Sequence, residues 1–250
     1  MSKRRTRPGS LLELGTARGG SAVFMAAALE ANGSGHLTSV DSTRWQWLDP
    51  TPREVLEKAG LSSWVTLDRR FSTYTWFLKA EIEERLDEAG SPQPEYDFIF
   101  LDGSKNWSVD GLAVVLAERL LRPGGWLLLD DLGWSYEKHC EAPRHYEIEI
   151  AKLSDEERIQ PHLRAVFDLL MRTNPAFDQL VVQDNWWGWA RKSPHVSRRT
   201  RGGVLSGRSG ARGARARLRQ VSRRVWLHLP PATQRRIRGL HRTAARVSRH

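Results

Sequence analysis

At 250 residues the chain is long enough for one α/β domain with a sizeable core plus an appendage. Its formal net charge of +10 is uneven: residues 193–250 hold sixteen Arg and no Lys, Asp or Glu, which leaves 23 basic against 29 acidic residues, or −6, on the remainder. The single Cys140 excludes an intrachain disulfide or a cysteine-based zinc site, and no apolar run reaches the ~18 residues of a membrane-spanning helix.

Residues 1–9 read as a short basic lead-in, 10–192 as one catalytic-size domain, and 193–250 as an Arg-rich tail. The apolar run Leu11–Leu14 is too short and too acidic for a signal-peptide core, so the expected location is cytoplasmic. The spacing predicts a first strand over 10–15 and a helix over 20–32 ended by Gly33. His36 to Asp41 reads as a second strand. Thr51, Pro52 and Glu54 form a helix start with a capping box, and that helix ends near Gly60. A third strand follows at 64–67, a helix at 75–89, and a fourth strand from Tyr96 to Asp102, whose near-continuous apolar run suits a strand buried on both faces. A helix at 108–120 leads to a turn, Arg122-Pro123-Gly124-Gly125, and a fifth strand at 126–129.

Segment 132–152 has no clear periodicity. Ser154 and Glu157 form a second capping box, and Leu163, Val166, Phe167 and Leu170 make an amphipathic stripe. Residues 179–183 and 186–191 flank Asp184-Asn185, a hairpin signal. Five βα-type units closed by an antiparallel hairpin predict a doubly wound, Rossmann-like, seven-stranded sheet, mostly parallel, with ligands at the carboxyl ends of its strands.

The first strand runs into Glu13-Leu14-Gly15-Thr16-Ala17-Arg18-Gly19-Gly20-Ser21. Gly15 and Gly19 allow close backbone approach to a ligand, and free N–H groups at the helix start can take its polar groups. The Gly-x-x-x-Gly spacing differs from the dinucleotide fingerprint and favours a ligand without a pyrophosphate, such as S-adenosylmethionine. The alternative is a purely structural strand-to-helix turn.

Acids recur at the strand ends: Glu13, Asp41, Asp102, and Asp130 with Asp131. A carboxylate after strand two can accept both hydroxyls of a ribose, the role expected of Asp41. Glu13 is expected to hold the loop or a ligand ammonium. Asp102, Asp130 and Asp131 supply hard oxygen ligands suited to Mg²⁺, which would clamp two substrate oxygens. In the alternative, Asp102 orients cofactor or substrate and the Asp pair caps a loop. Lys105, three residues on, can reach the same site. Beside a metal and a cofactor cation its pKa would fall, making it a candidate general base. His139 ranks behind it as an alternative base, with His145 nearby. Trp107 and Trp134 can stack on a flat acceptor.

Glu13 to Ala26 resembles the first motif of class I S-adenosylmethionine-dependent methyltransferases, nearest to the catechol- and caffeoyl-CoA-type O-methyltransferases. Phe98-Ile99-Phe100-Leu101-Asp102-Gly103-Ser104-Lys105 resembles that group's Asp-x-x-Lys motif, and Arg122 to Asp131 resembles its strand-five motif. The resemblance covers residues 10–191. It implies that Glu13, Gly15, Gly19 and Ser21 cradle the methionine part, Asp41 the ribose, and Ser72 the adenine region. It further implies that Asp102, Asp130 and Asp131 bind metal and that Lys105 is the base.

Two departures stand out. Asp131 replaces the family's usual Asn, a change that the macrolide-sugar methyltransferases tolerate. Few residues precede strand one, where the family has covering helices. The expectation is that the pocket is open, that another chain, as in a homodimer, or segment 132–152 covers it, or that the start of the sequence is truncated.

In the tail, 197–217 reads as disordered. Leu218, Val221, Val225 and Leu229 share one helical face, and Ile237, Leu240, Ala244 and Val247 repeat the pattern after Pro230-Pro231. Such a tail is a solubilising or partner-docking segment, or it attaches to an anionic membrane surface at the inner face, or it binds RNA. The leading functional expectation is O-methylation of a small-molecule or glycan hydroxyl with Mg²⁺ assistance. The alternatives are an RNA methyltransferase recruited by the tail and a non-catalytic cofactor-binding module anchored by it.

Overall fold

A computed structural model describes residues 9–43, 48–145 and 148–194. The basic lead-in up to residue 8 and the tail from 195, including both of its expected amphipathic helices, lie outside the described residues.

A seven-stranded sheet forms the centre, built from β1 (Ser10–Leu14), β2 (His36–Val40), β3 (Val65–Asp68), β4 (Tyr96–Leu101) and β5 (Leu121–Leu129). A short ladder, β6 (Arg144–His145) with β7 (Ile148–Glu149), stands apart, and β8 (Phe177–Gln183) and β9 (Trp187–Lys192) complete the main sheet. The order is β3-β2-β1-β4-β5-β9-β8. The first five strands are parallel, β9 pairs antiparallel with β5, and β8 pairs antiparallel with β9. The strand order reverses between β1 and β4, so a crevice opens there at the carboxyl edge.

The pleat of β1 separates two cores. Leu12 and Leu14 face one side, where α3 (Tyr74–Glu84), α4 (Trp107–Leu120) and α7 (His162–Val166) pack through Phe77, Leu78, Ala113, Val114, Ala117, Leu163 and Val166. Leu11 faces the other, beneath α1 (Gly20–Asn32), with Ala22, Leu29 and Leu37. Glu13 shares the side of Leu11, which places a carboxylate under the first turn of α1 rather than in solvent.

Local signals decide most boundaries. Gly33, at φ 68°, ends α1 in a left-handed cap. Thr51 and Glu54 form both halves of the capping box that starts α2 (Pro52–Ala59). Asp184 and Asn185 both take positive φ, 52° and 56°, as a two-residue hairpin turn requires.

Three elements differ from expectation. Helix α3 ends at Glu84, not near 89, because the Asp87 side chain accepts from the backbone N–H of Ala89 (3.0 Å) and Ser91 (2.7 Å) and so stabilises a turn instead. The Arg122–Gly125 turn is absorbed into β5, whose pairing with β4 shifts register between Tyr96 and Phe98. Segment 132–152 contains α5 (Tyr136–His139), the β6–β7 ladder and a single 3₁₀ turn, Ile150–Lys152. Ser154 and Glu157 cap α6 (Asp155–Ile159) as the sequence indicates. The expected stripe beginning at Leu163 is present, but α7 widens into a π turn over Phe167–Met171 that also buries Met171.

Candidate functional site

The turn after β1 is held from both sides. Gly15 N donates to Val40 O at 2.8 Å, and a Cβ on Gly15 would lie 2.1 Å from Asp102 O. Glycine is required there for space and for its φ of 107°. At Gly19, φ 82°, a Cβ would meet Pro52 at 2.9 Å. Gly19 precedes α1 with no side-chain cap, so the first N–H groups of α1 face the crevice edge.

Asp41 is buried at the end of β2. Its Oδ2 accepts from the backbone N–H of Thr16 and of Ala17, each at 2.7 Å, and its Oδ1 accepts from Ser42 N at 2.7 Å. The residue expected to face a ribose therefore also shapes the glycine turn. Glu13 is fully buried beneath the same turn. Ser39 Oγ donates to its Oε2 and lies 2.7 Å from Thr16 Oγ1. Burial pushes the Glu13 carboxyl up to about 8, against the opposing hydrogen bonds of Ser21 and Ser39.

Above the turn lies a cleft of about 410 Å³, lined by Gly15, Thr16, Gly20, Ser21, Leu48 and Asp102 among others. Among the described residues, Glu13 Oε1 in β1, Ser42 Oγ beside Asp41, and Nε and Nη2 of Arg69, which interacts with the charge of Asp41, are buried without a hydrogen-bond partner. Buried polar atoms are nearly always paired, so these groups fit a polar ligand seated over the turn.

The second group of acids converges at the ends of β4 and β5. Asp102 N donates to Leu14 O at 2.9 Å and Asp130 N to Leu101 O at 3.0 Å, which knits the three strand ends together. Carboxylate oxygens of Asp102, Asp130 and Asp131 lie within 4.8 Å of one another. Three hard oxygen donors at this separation fit a divalent cation such as Mg²⁺. Burial, and then Asp102 and Asp131, raise the Asp130 carboxyl to about 6.

Lys105 enters this cluster as a cation. Its Nζ donates to Asp102 Oδ1 and lies 2.7 Å from Asp131 Oδ2. Burial works against the charge, but the two carboxylates outweigh it and hold the ammonium well above the ordinary lysine range. The direction is opposite to the depressed pKa expected for a base beside bound cations.

The remaining expected residues are placed differently. Ser21 lines the cleft and hydrogen-bonds Glu13. Ser72 is exposed and is not among the residues that line the cleft. His139 is exposed at the end of α5, with Ser135 N donating to its Nδ1 at 3.0 Å and its ring stacked on Trp134. His145, noted in the sequence only as a neighbour, lies beside the Lys105 loop: burial lowers its pKa against a hydrogen bond that the ring donates to the Ser104 backbone, and the charge of Lys105 adds to the lowering. Trp134 packs on Tyr136 and His145 at 4.9 and 5.0 Å, whereas Trp107 is 39 % exposed at the start of α4. The sequence did not single out Arg69, Leu48, Tyr74 or Asp110. Nothing in their spacing marks them, because the fold brings them from separate elements to the cleft wall (Leu48), to Asp41 (Arg69) or behind the Lys105 loop (Tyr74 and Asp110).

Residues 12–132 match the model of a family described as a methyltransferase domain. The match spans just under half of the chain and takes in the glycine turn, Asp41, Asp102, Lys105, Asp130 and Asp131. No curated protein sequence matches the chain. Among solved structures, a candidate O-methyltransferase from Klebsiella pneumoniae is similar at 24 % identity, with 74 % of each chain covered and a TM-score of 0.50. An O-methyltransferase from Bacillus cereus, in complex with SAH, is 22 % identical over 74 % of each chain, with a TM-score of 0.48. TomG from Streptomyces achromogenes, an O-methyltransferase of tomaymycin synthesis in complex with SAM, is 16 % identical over 74 % of each chain, with a TM-score of 0.47. Among the described residues of the chain, no helix is long and apolar enough to cross a membrane.

Proposed function

We propose that this methyltransferase moves the methyl group of S-adenosylmethionine to a hydroxyl of a small molecule or sugar. The observation that carries the reading is the placement of the Asp102–Lys105–Asp131 ion pairs beside the cleft over the Gly15–Gly19 turn. Methyl donor and acceptor oxygen would meet at that edge.

The glycine turn, Glu13 and Ser21 would hold the methionine part, and Asp41 would fix the turn and offer its carboxylate to the ribose. The bound donor supplies an electrophilic methyl on a sulfonium. Asp102, Asp130 and Asp131 would hold a divalent cation, whose contribution is to lower the pKa of an acceptor hydroxyl. The chain's own part is positioning: it would bring the acceptor oxygen in line with the methyl group. As an ammonium, Lys105 cannot accept a proton. Base action at its Nζ requires that the carboxylates be taken over by another cation, and until then it neutralises them.

Calorimetry with S-adenosylmethionine, followed by a methylation assay against pooled hydroxyl acceptors with and without Mg²⁺, tests the reading. Donor binding at micromolar level with Mg²⁺-stimulated product supports it. Absence of donor binding by the intact protein rejects it.

A further inference from the structure

We propose that Tyr74 and Asp110 are positioning residues: together they lock the loop Gly103–Asn106 so that Lys105 is held between Asp102 and Asp131. Neither residue lines the cleft or joins the acidic cluster. Tyr74 begins α3 and Asp110 lies in the first turn of α4, and both side chains are buried, at 3 % and 0 % exposure.

Their contacts converge on the loop backbone. Tyr74 Oη accepts from Ser104 N at 3.0 Å and donates to Asp110 Oδ1. Asp110 Oδ2 accepts from Asn106 N at 2.8 Å and from Ser104 Oγ at 3.3 Å. A Cβ on Gly103 would fall 2.2 Å from Tyr74 Oη, so the loop lies flat against the phenol. The backbone N–H groups on both sides of Lys105 are thus tied to one buried pair. Between them Lys105 takes φ 57°, a conformation that a lysine adopts only where its surroundings over-determine it. Asn106 extends the brace: its Oδ1 caps α4 through Ser108 N and Val109 N, and its Nδ2 donates to Tyr136 Oη at 3.3 Å.

Stability alone does not account for the pair. Burial raises the Asp110 carboxyl against the hydrogen bonds that favour its charge. A buried acid is costly, and an apolar pair of similar size would fill the same space without that penalty. What the polar pair adds is a fixed loop path, and that path sets the Lys105 Nζ position.

The inference rests on the reading of Asp102, Lys105 and Asp131 as the reacting edge, but its test needs no donor, metal or acceptor. Lys192 supplies an internal standard. It is as enclosed as Lys105, with side chains 11 % and 10 % exposed, and it is ion-paired to Glu118 at 2.8 Å. Limited acetylation of the full chain, read by peptide mass spectrometry, gives the ratio of Lys105 to Lys192 labelling. In Tyr74→Phe that ratio is expected to rise about tenfold, the equivalent of one lost hydrogen bond within a charged network. Asp110→Asn, which keeps shape and one acceptor, is expected to move it in the same direction by less. General loosening would speed both lysines and leave the ratio unchanged. An unchanged ratio in Tyr74→Phe, or wild-type Lys105 labelling as fast as exposed Lys58, overturns the proposal. Calorimetry on the same samples separates the two readings: failure of the wild-type chain to bind S-adenosylmethionine removes the methyl-transfer proposal while leaving the brace intact.

Discussion

Lys105 Nζ lies 2.7 Å from Asp131 Oδ2, and both residues hold left-handed backbone, at φ 57° and 59°. Two side chains on loops after different strands are thus presented by conformations that non-glycine residues rarely adopt. The ammonium occupies the place among Asp102, Asp130 and Asp131 that a divalent cation would contest.

That competition gives the first prediction. Lys105→Met removes the ammonium and leaves three carboxylates within 4.8 Å without a neutralising partner. Mn²⁺ affinity, followed by electron paramagnetic resonance, is expected to rise about tenfold, since the ion pairs of Lys105 with Asp102 and Asp131 no longer have to be broken. Methyl-transfer turnover is expected to fall while donor affinity stays as it is. Weaker Mn²⁺ binding in the variant would mean that Lys105 supports the cation site rather than competing with it.

Asp41, expected from the sequence to face a ribose, also holds the glycine turn. If its carboxylate shapes the turn, Asp41→Ala leaves the N–H groups of Thr16 and Ala17 without their acceptor. The stability cost is then about 2–3 kcal/mol in urea unfolding. Donor affinity falls with it, because the turn no longer keeps its shape. A variant with unchanged stability and reduced affinity would show Asp41 acting on the ligand alone.

Much of this site was legible in the sequence. The strand-to-helix turn, the acids at the strand ends and the Asp184-Asn185 hairpin are set by residues close together in the chain, so local chemistry announces them. The rest depends on contacts between distant elements. No spacing rule tells that the Asp41 carboxylate turns back onto Thr16 and Ala17, or that Lys105 meets Asp131. The raised pKa of Lys105 depends on two carboxylates brought alongside by β4 and β5, whereas the sequence expectation concerns a lysine beside bound cations. Asp110 carries no sequence signal beyond its place in the first turn of a helix, and only packing of α3 against α4 sets it against Tyr74. Helix α3 was drawn too long because the Asp87 side chain competes for backbone N–H groups.

Glu13 makes stability depend on pH with a definite sign. Its carboxyl is raised from 4.5 to about 8 in the folded chain, so the folded state keeps a proton that the unfolded state has released. Between those values the native state binds more protons, and its stability falls as pH rises, by at most about 1.4 kcal/mol per pH unit. The contribution is fully present below the unfolded value and is gone above the folded one. Glu13→Gln is expected to flatten the profile of urea midpoint against pH between 5 and 8. An equally steep profile in the variant would assign the dependence to another group.

Two glycines of the turn predict opposite behaviour on gaining one methyl group. Gly15→Ala places a Cβ 2.1 Å from Asp102 O and 2.6 Å from Asp102 C, at a φ of 107° that alanine resists. Backbone cannot yield as a flexible side chain can, so the turn and the end of β4 must separate. The cost is expected to exceed about 3 kcal/mol, and donor and metal binding should both be lost, since Asp102 belongs to both sites. Gly20 opens α1, and a Cβ there meets nothing within 4 Å. Gly20→Ala should therefore fold at least as well as the parent, gaining up to about 1 kcal/mol from the more restricted unfolded chain. The open space above Gly20 is part of the cleft, however, and if the donor fills it the added methyl should weaken S-adenosylmethionine binding about tenfold or more through steric conflict. Thermal melting and calorimetry on the two variants read these outcomes directly. Parental donor affinity in Gly20→Ala would mean that the donor lies elsewhere along the turn.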